Sequence, residues 1–196
     1  MNLQKKSCFA GNLASCLYRL ELHHPKYYQR IVERIRQVCP QFGEFVLKPQ
    51  DGDPFNIRNV LLNWKERNRP DYLFGPHQLS DGTLRFIALT TLFLQPPEML
   101  PSVIVVDEPE LGLHPYAITA LAGMAKAASQ NCQVVLATQS TRLVDEFDLE
   151  DIRVIDYDRE KNCSRCSQPD PVKLKEWIDE YSTSELWEKN VIGGKP

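Results

Sequence analysis

The 196-residue sequence contains no apolar run long enough to cross a bilayer, and its first residues lack the segments of a secretory signal. These two absences argue against a membrane-embedded or secreted protein, and they predict a cytoplasmic one. The sequence also lacks internal repeats and low-complexity tracts, which argues against solenoids and disordered linkers. Its six cysteines are irregularly spaced. Without a secretory signal they are expected to be reduced thiols rather than a disulfide framework.

The sequence has little net charge, at −3, but the charge is unevenly distributed. Residues 1–78 carry +5 and residues 79–196 carry −8. A basic first part is compatible with contact to phosphates. The simpler interpretation is that these charges lie on solvated helix faces.

The chain is organised around an apolar run, Val103 to Val106, that is followed at once by Asp107, Glu108 and Pro109. Such a short β-branched run predicts a strand buried on both faces of a parallel sheet. Pro109 cannot continue a strand ladder, so the two acids should lie at the carboxyl end of that strand. Open α/β sheets bind their ligands there. Asp107 is placed to hold Mg²⁺ and Glu108 to orient and deprotonate a water. Alternatively, both are solvated acids at a strand end.

From residue 79 onward, apolar strands alternate with helices, which predicts right-handed crossovers and an α/β fold with a parallel sheet. The predicted strands are residues 103–107, 133–137 and 152–157, and the predicted helices are residues 80–95, 115–129, 141–147, 171–181 and 184–188. Before residue 79, the spacing predicts helices over residues 12–22 and 26–39 and short strands over residues 45–47 and 60–64, with a turn at residues 51–54.

Two further motifs flank the acidic strand end. A helix is predicted to begin at Ser80, where unpaired N–H groups and a hydroxyl could receive a phosphate, and Gly82 would let a ligand approach the backbone. An ordinary N-cap serine explains the same residue. The next apolar strand ends at Thr138-Gln139-Ser140, where Gln139 could bond a γ-phosphate or a water. Each motif is weak by itself, but the three follow one another in order.

In that order, the motifs resemble the second half of an ABC-type ATPase of the SMC/RecF/OLD-like branch, often described as AAA-family ATPases. Residues 79–83 resemble the signature motif, and residues 103–108 resemble Walker B. Residues 109–115 resemble the loop near the D-loop position, and residues 137–140 resemble the switch. The resemblance covers residues 10–196 and is most specific over residues 79–141.

The resemblance implies a P-loop NTPase-like head that binds and hydrolyses ATP with Mg²⁺ and dimerises with the nucleotide sandwiched between subunits. It implies that Asp107 binds Mg²⁺ and that Glu108 and Gln139 act in catalysis. Ser80, Asp81 and Gly82 would contact the nucleotide of the other subunit, and His114 would lie at the dimer seam. Relatives act on DNA or work with nucleases in phage defence, so DNA or a nuclease is an expected partner.

One part of such an ATPase is missing, because no Gly-x-x-x-x-Gly-Lys-Ser/Thr occurs in the sequence. That loop and its lysine cradle the phosphates. We therefore expect the chain to be incomplete without a Walker A lobe, supplied upstream or by a partner chain. The expected organisation is a helical and β-hairpin segment (residues 1–78), the ATPase core (residues 79–160) and C-terminal helices with a tail (residues 161–196).

Two alternative functions stay open. The chain could be a non-catalytic interaction remnant of such an ATPase. It could instead be a Toprim-like metal-dependent nuclease, with Glu108, Asp156 and Asp158 as metal-binding acids. Finally, Cys163 and Cys166 form a lone CxxC pair without the four ligands of a structural zinc site, and the surrounding polar residues favour a solvated turn.

Overall fold

A computed structural model describes residues 13–49 and 60–194 of the chain. The chain divides into two compact units, Met1–Ala137 and Thr138–Pro196. The described elements of the first unit are α1 (Leu13–His23), α2 (Pro25–Val38), β1 (Phe42–Pro49), β2 (Val60–Glu66), β3 (Arg69–Phe74), α3 (Asp81–Leu94), β4 (Val103–Asp107), α4 (Pro115–Ser129) and β5 (Gln133–Ala137). Those of the second unit are α5 (Thr141–Val144), β6 (Val154–Asp158), β7 (Cys163–Ser167), α6 (Lys175–Ile178) and α7 (Thr183–Glu188). None of the helices in these ranges combines the length and apolar character that a membrane crossing needs.

Three helices, α1 to α3, contact one another and form the core of the first unit. Their bounds agree with the predicted ones to within one residue at each end. Helical spacing predicts the buried residues in part, because Leu17, Ile31 and Ile87 of the predicted stripes are buried, whereas Leu13 and Leu84 are half-buried. Fully buried side chains come from all three helices: Leu17, Leu20, Ile31, Ile35, Phe86 and Ile87.

An antiparallel sheet of β1, β2 and β3 packs against this helical layer, with α1 contacting both β1 and β2. The predicted pair of short strands is confirmed as β1 and β2, and the predicted turn at residues 51–54 lies outside the described residues. Trp64 stacks between Phe42 and Phe74, with ring centroids 5.9 Å and 4.8 Å away. The sequence reading missed β3, an edge strand that contains a proline and is exposed along almost its whole length.

The strand that ends in the two acids, β4, pairs in parallel with β5, with Asp107 opposite Ala137. The connection between them is α4, which begins at Pro115 as predicted. The prediction that β4 is buried on both faces is wrong. Ile104 is 4% exposed, but Val103 and Val105 are 47% and 69% exposed. The described part of the chain thus covers one face of the β4–β5 pair and leaves the other open.

In the second unit, β6 pairs antiparallel with β7 in a two-stranded sheet of its own. The sequence had predicted residues 152–157 as a third parallel strand, and it had placed the two cysteines in a turn. The observed hairpin turns between Asp158 and Cys163. In the same unit, Asp145 accepts hydrogen bonds from the Ser184 backbone N–H (2.8 Å) and hydroxyl (2.7 Å), which ties the end of α5 to α7.

Candidate functional site

The two acids predicted as the chemical centre lie where β4 ends. Asp107 is the last residue of β4, and its side chain is exposed. The next residue extends the ladder by one bond, because the Glu108 N–H donates to the Ala137 carbonyl at 2.8 Å. Glu108 has a φ of +44°, a left-handed conformation that is uncommon for a residue with a Cβ. The chain therefore leaves the strand abruptly at Glu108.

A tight loop follows, which we call the acidic loop (residues 108–112). The Glu108 carbonyl accepts the Leu111 N–H at 3.2 Å, and the Glu110 carbonyl accepts the Leu113 N–H at 2.9 Å. At its far end, Gly112 has a φ of +77°, which a residue without a Cβ adopts at little cost. The loop is thus a hydrogen-bonded turn with a left-handed residue at each end.

The acidic loop concentrates negative charge. Desolvation raises the pKa of the Glu108 carboxyl, and the side-chain hydrogen bond with Glu110 and the charges of Glu110 and Asp107 raise it further. Glu110 is buried, whereas Asp107 is exposed. A cation placed here would relieve the repulsion among these carboxylates.

The helix that begins at the predicted signature residues packs against this loop. Ser80 is the N-cap of α3, and its hydroxyl accepts the Thr83 N–H at 3.1 Å. The N-cap interpretation of Ser80 is therefore correct, and the exposed hydroxyl also lies 2.8 Å from that of Thr83. Asp81 is the first residue of the helix and is exposed, where its charge complements the helix dipole.

Gly82 places the start of α3 directly on the acidic loop. A Cβ added to Gly82 would lie 2.1 Å from the Gly112 carbonyl oxygen, so this contact exists only because residue 82 is glycine. One turn further along the helix, Arg85 Nη1 donates to the Glu108 carbonyl at 2.8 Å. The structure therefore brings the predicted signature residues and the predicted catalytic strand end into direct contact, although they are far apart in sequence.

His114 serves as the N-cap of α4. Its Nδ1 accepts the Tyr116 N–H at 3.2 Å, so in the neutral ring the proton is on Nε2. The imidazole is exposed. It can therefore offer an N–H donor outward while it caps the helix.

Three of the four predicted switch residues, 138–140, belong to the second unit, and Ala137 is the last residue of the first. Thr138 Oγ1 accepts the Ser140 N–H at 2.9 Å, and Ser140 caps α5 by accepting the Leu143 N–H at 3.3 Å. Gln139, between them, is exposed. Its participation in the site stays a prediction, as does the division of the chain at residues 78 and 160.

The sequence reading assigned no role to two residues that shape this site, Arg85 and Glu110. Arg85 is the charged residue one turn after Gly82 on the same helix, a spacing that puts both on one face. Glu110 is an acid two residues after Glu108 and is buried rather than solvated. The helical spacing of Arg85 from Gly82 and the position of Glu110 after Glu108 gain meaning only when Gly82 is known to contact the acidic loop.

The residues at the strand end fit Mg²⁺ of the kind that nucleotides carry. Mg²⁺ keeps several waters and takes only one or two protein carboxylates besides phosphate oxygens. Asp107 supplies an exposed carboxylate for this purpose. Within residues 13–49 and 60–194, there is no group of three or more His, Cys, Asp or Glu side chains arranged to hold a metal by themselves.

The acids of the nuclease alternative have structural partners. Asp156 Oδ1 accepts the Gly194 N–H at 2.6 Å, and Asp158 Oδ1 accepts the N–H groups of Glu160 and Lys161, each at 3.1 Å. The first bond attaches Gly194 to β6, and the other two stabilise the turn of the β6–β7 hairpin. The structure therefore gives both acids a role that involves no metal.

The CxxC pair lies on β7, not in a turn. Because side chains alternate along a strand, residues three apart point to opposite faces. Their Cα atoms are then separated by about 10 Å, beyond the reach of a disulfide. Cys163 and Cys166 are both free and exposed.

The fold is that of a P-loop NTPase, and several solved structures of SMC ATPase heads share it. One, from work on ATP-driven dimerization and DNA-stimulated activation of SMC ATPases, aligns with a TM-score of 0.52 at 15% identity over 83% of this chain and 98% of that one. An Smc head bound to the C-terminal winged-helix domain of ScpA aligns with a TM-score of 0.56 at 15% identity over 76% of this chain. The Pyrococcus furiosus Smc head, with an extended coiled coil and bound to the C-terminal domain of ScpA, gives 0.55 at 15% identity over 82% of this chain. The chain spans 43% and 41% of the latter two.

These features define a member of the AAA-domain family with a fold similar to that of SMC heads. The family model described as "AAA domain, putative AbiEii toxin, Type IV TA system" matches residues 18–145, well over half of the sequence, and the chain belongs to that family. No curated protein matches the sequence.

Proposed function

We propose that this chain is an ATP-binding and ATP-hydrolysing head of the SMC/RecF-like kind. In this proposal, Asp107 binds the Mg²⁺ of the nucleotide, and Glu108 orients the attacking water and accepts its proton. Ser80 and Gly82 contact the γ-phosphate of a nucleotide held by another subunit, and Asp81 lies between them at that nucleotide. Gln139 assists at the γ-phosphate or the water, and His114 lies at the seam between subunits.

The observation that carries the proposal is the contact between the start of α3 and the acidic loop. Gly82 meets Gly112, and Arg85 meets Glu108. A helix N-terminus that can bind an anion is therefore fixed to a strand end that can bind a cation and activate water. In the proposed sandwich of two subunits, this contact links the residues that reach the nucleotide of the other subunit to the strand end that acts on the chain's own nucleotide.

The chemistry expected of these residues can be derived from their positions. Mg²⁺, when bound with the nucleotide, neutralises charge on the phosphate oxygens. The exposed carboxylate of Asp107 would hold it. Glu108 leaves the strand in a different backbone conformation from Asp107, so its carboxylate is free to face a water rather than the same ion.

A further lobe with a phosphate-binding loop would complete the site. Support for this step comes from the open face of the β4–β5 pair, where Val103, Val105 and Val135 are exposed by 43–69%. Asp107 lies on that same face, since it alternates in step with Val103 and Val105. A lobe that covered these valines would also approach Asp107. The proposed assembly is a homodimer around ATP or a complex with a chain that carries this lobe.

The proposal is tested by an Asp107→Asn variant in the protein purified with its native partners. We expect Mg²⁺-dependent ATP hydrolysis to fall by about 100-fold, because the ligand to the ion loses its charge. The matched control is Asp71→Asn, which neutralises an exposed acid on β3 and should leave the rate unchanged. Equal rates in the wild type and the Asp107→Asn variant would refute the assignment of Asp107.

The task that ATP hydrolysis drives is also a proposal. One of the similar structures comes from work on DNA-stimulated activation, and others were solved with ScpA bound. We propose DNA or a nuclease as the partner, with a role in DNA repair or phage defence. Stimulation of the ATPase rate by duplex DNA is the measurement that supports the first partner, and co-purification of a nuclease supports the second.

A further inference from the structure

The side chain of Arg85 links the signature helix to the backbone of Glu108. Its Nη1 donates to the Glu108 carbonyl at 2.8 Å, and the contact is partly buried. The same carbonyl accepts the Leu111 N–H at 3.2 Å, so both of its lone pairs are used. On the other side, the Glu108 N–H donates to the Ala137 carbonyl at 2.8 Å.

These bonds fix a residue whose backbone conformation is unusual. Glu108 has a φ of +44° without being glycine, and a side chain held in this way points in a direction that an ordinary strand end would not give. The bond to Ala137 fixes the peptide plane before Glu108, and the bond from Arg85 fixes the plane after it. The direction of the Glu108 carboxylate thus depends on both.

One face of α3 pins the acidic loop at both ends. Residues three apart lie on the same side of a helix. Gly82 contacts Gly112 at the far end of the loop, and Arg85 contacts Glu108 at its start. Because Ser80 caps the same helix, the group proposed to bind phosphate and the group proposed to activate water are fixed to one rigid element.

We propose that Arg85 is a positioning residue for ATP hydrolysis, one that holds Glu108 in its left-handed conformation and links it to the signature helix. This inference rests on the proposed function. Arg85 acts through the Glu108 carbonyl and does not itself contact the nucleotide. Its contribution therefore belongs to the chemical step rather than to ATP binding.

Kinetics of the protein purified with its native partners test this assignment. Arg85→Met keeps the length and apolar stem of the side chain but removes its donors, so kcat should fall by up to about 100-fold. The KM for ATP should stay within about twofold. Arg85→Lys restores one cationic donor and should recover part of kcat. Arg30→Met, which changes an exposed arginine on α2, is the control and should match the wild type.

A second measurement does not depend on activity. In a protein labelled with ¹³C-glutamate, the Glu108 signal is assigned by its loss in Glu108→Gln. We expect Arg85→Met to shift the ¹³Cα resonance of Glu108, which reports its backbone angles, and to speed hydrogen exchange at the Leu111 amide. Arg30→Met should change neither. An unshifted Glu108 resonance in Arg85→Met would overturn the inference.

The two hypotheses fail in different ways. If Glu108→Gln hydrolyses ATP like the wild type, or the wild type has no ATPase activity, the proposed function fails, and the resonance alone then decides whether Arg85 holds Glu108. If Glu108→Gln abolishes hydrolysis but Arg85→Met does not lower kcat, only the positioning role fails. A Lys variant no better than the Met variant would also contradict that role.

Discussion

Two features of Glu108 are energetically unfavourable. Its backbone is left-handed, and the carboxylates of Asp107 and Glu110 lie near its own. A non-glycine residue in this conformation costs roughly 1–3 kcal/mol. A hydrogen bond from a charged donor contributes about 1.5–3 kcal/mol, so the bond from Arg85 is large enough to offset that cost. The strained backbone of Glu108 is therefore stabilised at the position where the proposed reaction needs its carboxylate to point in one direction.

Two substitutions that both remove the charge of Glu108 separate the backbone cost from the electrostatic one. Asparagine tolerates the left-handed region better than glutamine does. We expect Glu108→Asn to be more stable than Glu108→Gln by roughly 1 kcal/mol, as measured by urea denaturation. Equal stability of the two variants would mean that residue 108 is not strained at its φ of +44°.

At the scale of elements, the contact between α3 and the acidic loop depends on the absence of one side chain. The Cβ of an alanine at position 82 would meet a backbone oxygen, Gly112 O, at 2.1 Å, and a backbone atom cannot move aside cheaply. By contrast, Gly123 lies in α4 with nothing within 4 Å of an added Cβ. The two helical glycines therefore form a matched pair for testing this contact.

We predict opposite signs for the two alanine substitutions. Gly123→Ala should raise the free energy of unfolding by about 0.5–1 kcal/mol, because alanine loses less entropy in a helix. Gly82→Ala should lower it by about 1–3 kcal/mol, because the helix start must move off the loop. Chemical denaturation of both variants checks this, and a stabilising Gly82→Ala would show that the helix and the loop are not in contact.

The sequence predicts some elements well and others poorly, for identifiable reasons. The helix α4 was bounded correctly because Pro115 starts it and an alanine-rich stretch follows. The strands β3 and β7 were missed because they are exposed along almost their whole length, so neither shows the alternation of apolar and polar residues that a half-buried strand has. The sequence also placed Asp107 and Glu108 at a strand end, but it could not show the role of Arg85, which depends on a contact across 23 residues.

At the scale of the whole molecule, the open face of the β4–β5 pair is the main departure from the sequence prediction. A run of four apolar residues shows that a strand will be covered on both sides, but it does not show which polypeptide covers it. Val105 is 69% exposed among the described residues, and a further lobe over this face would remove its contact with water. This exposure supports the proposal that the ATPase is assembled from more than the described residues.

The most direct test of the proposed ATPase activity is the fate of ATP in a Glu108→Gln variant, purified with its native partners and compared with the wild type. The glutamine keeps the size of the side chain but cannot accept the proton of the water. We predict that hydrolysis falls by about 100-fold or more. The variant should still bind labelled ATP and should still form the ATP-dependent assembly. Hydrolysis at the wild-type rate would contradict the account, because Glu108 would then not be the residue that activates the water.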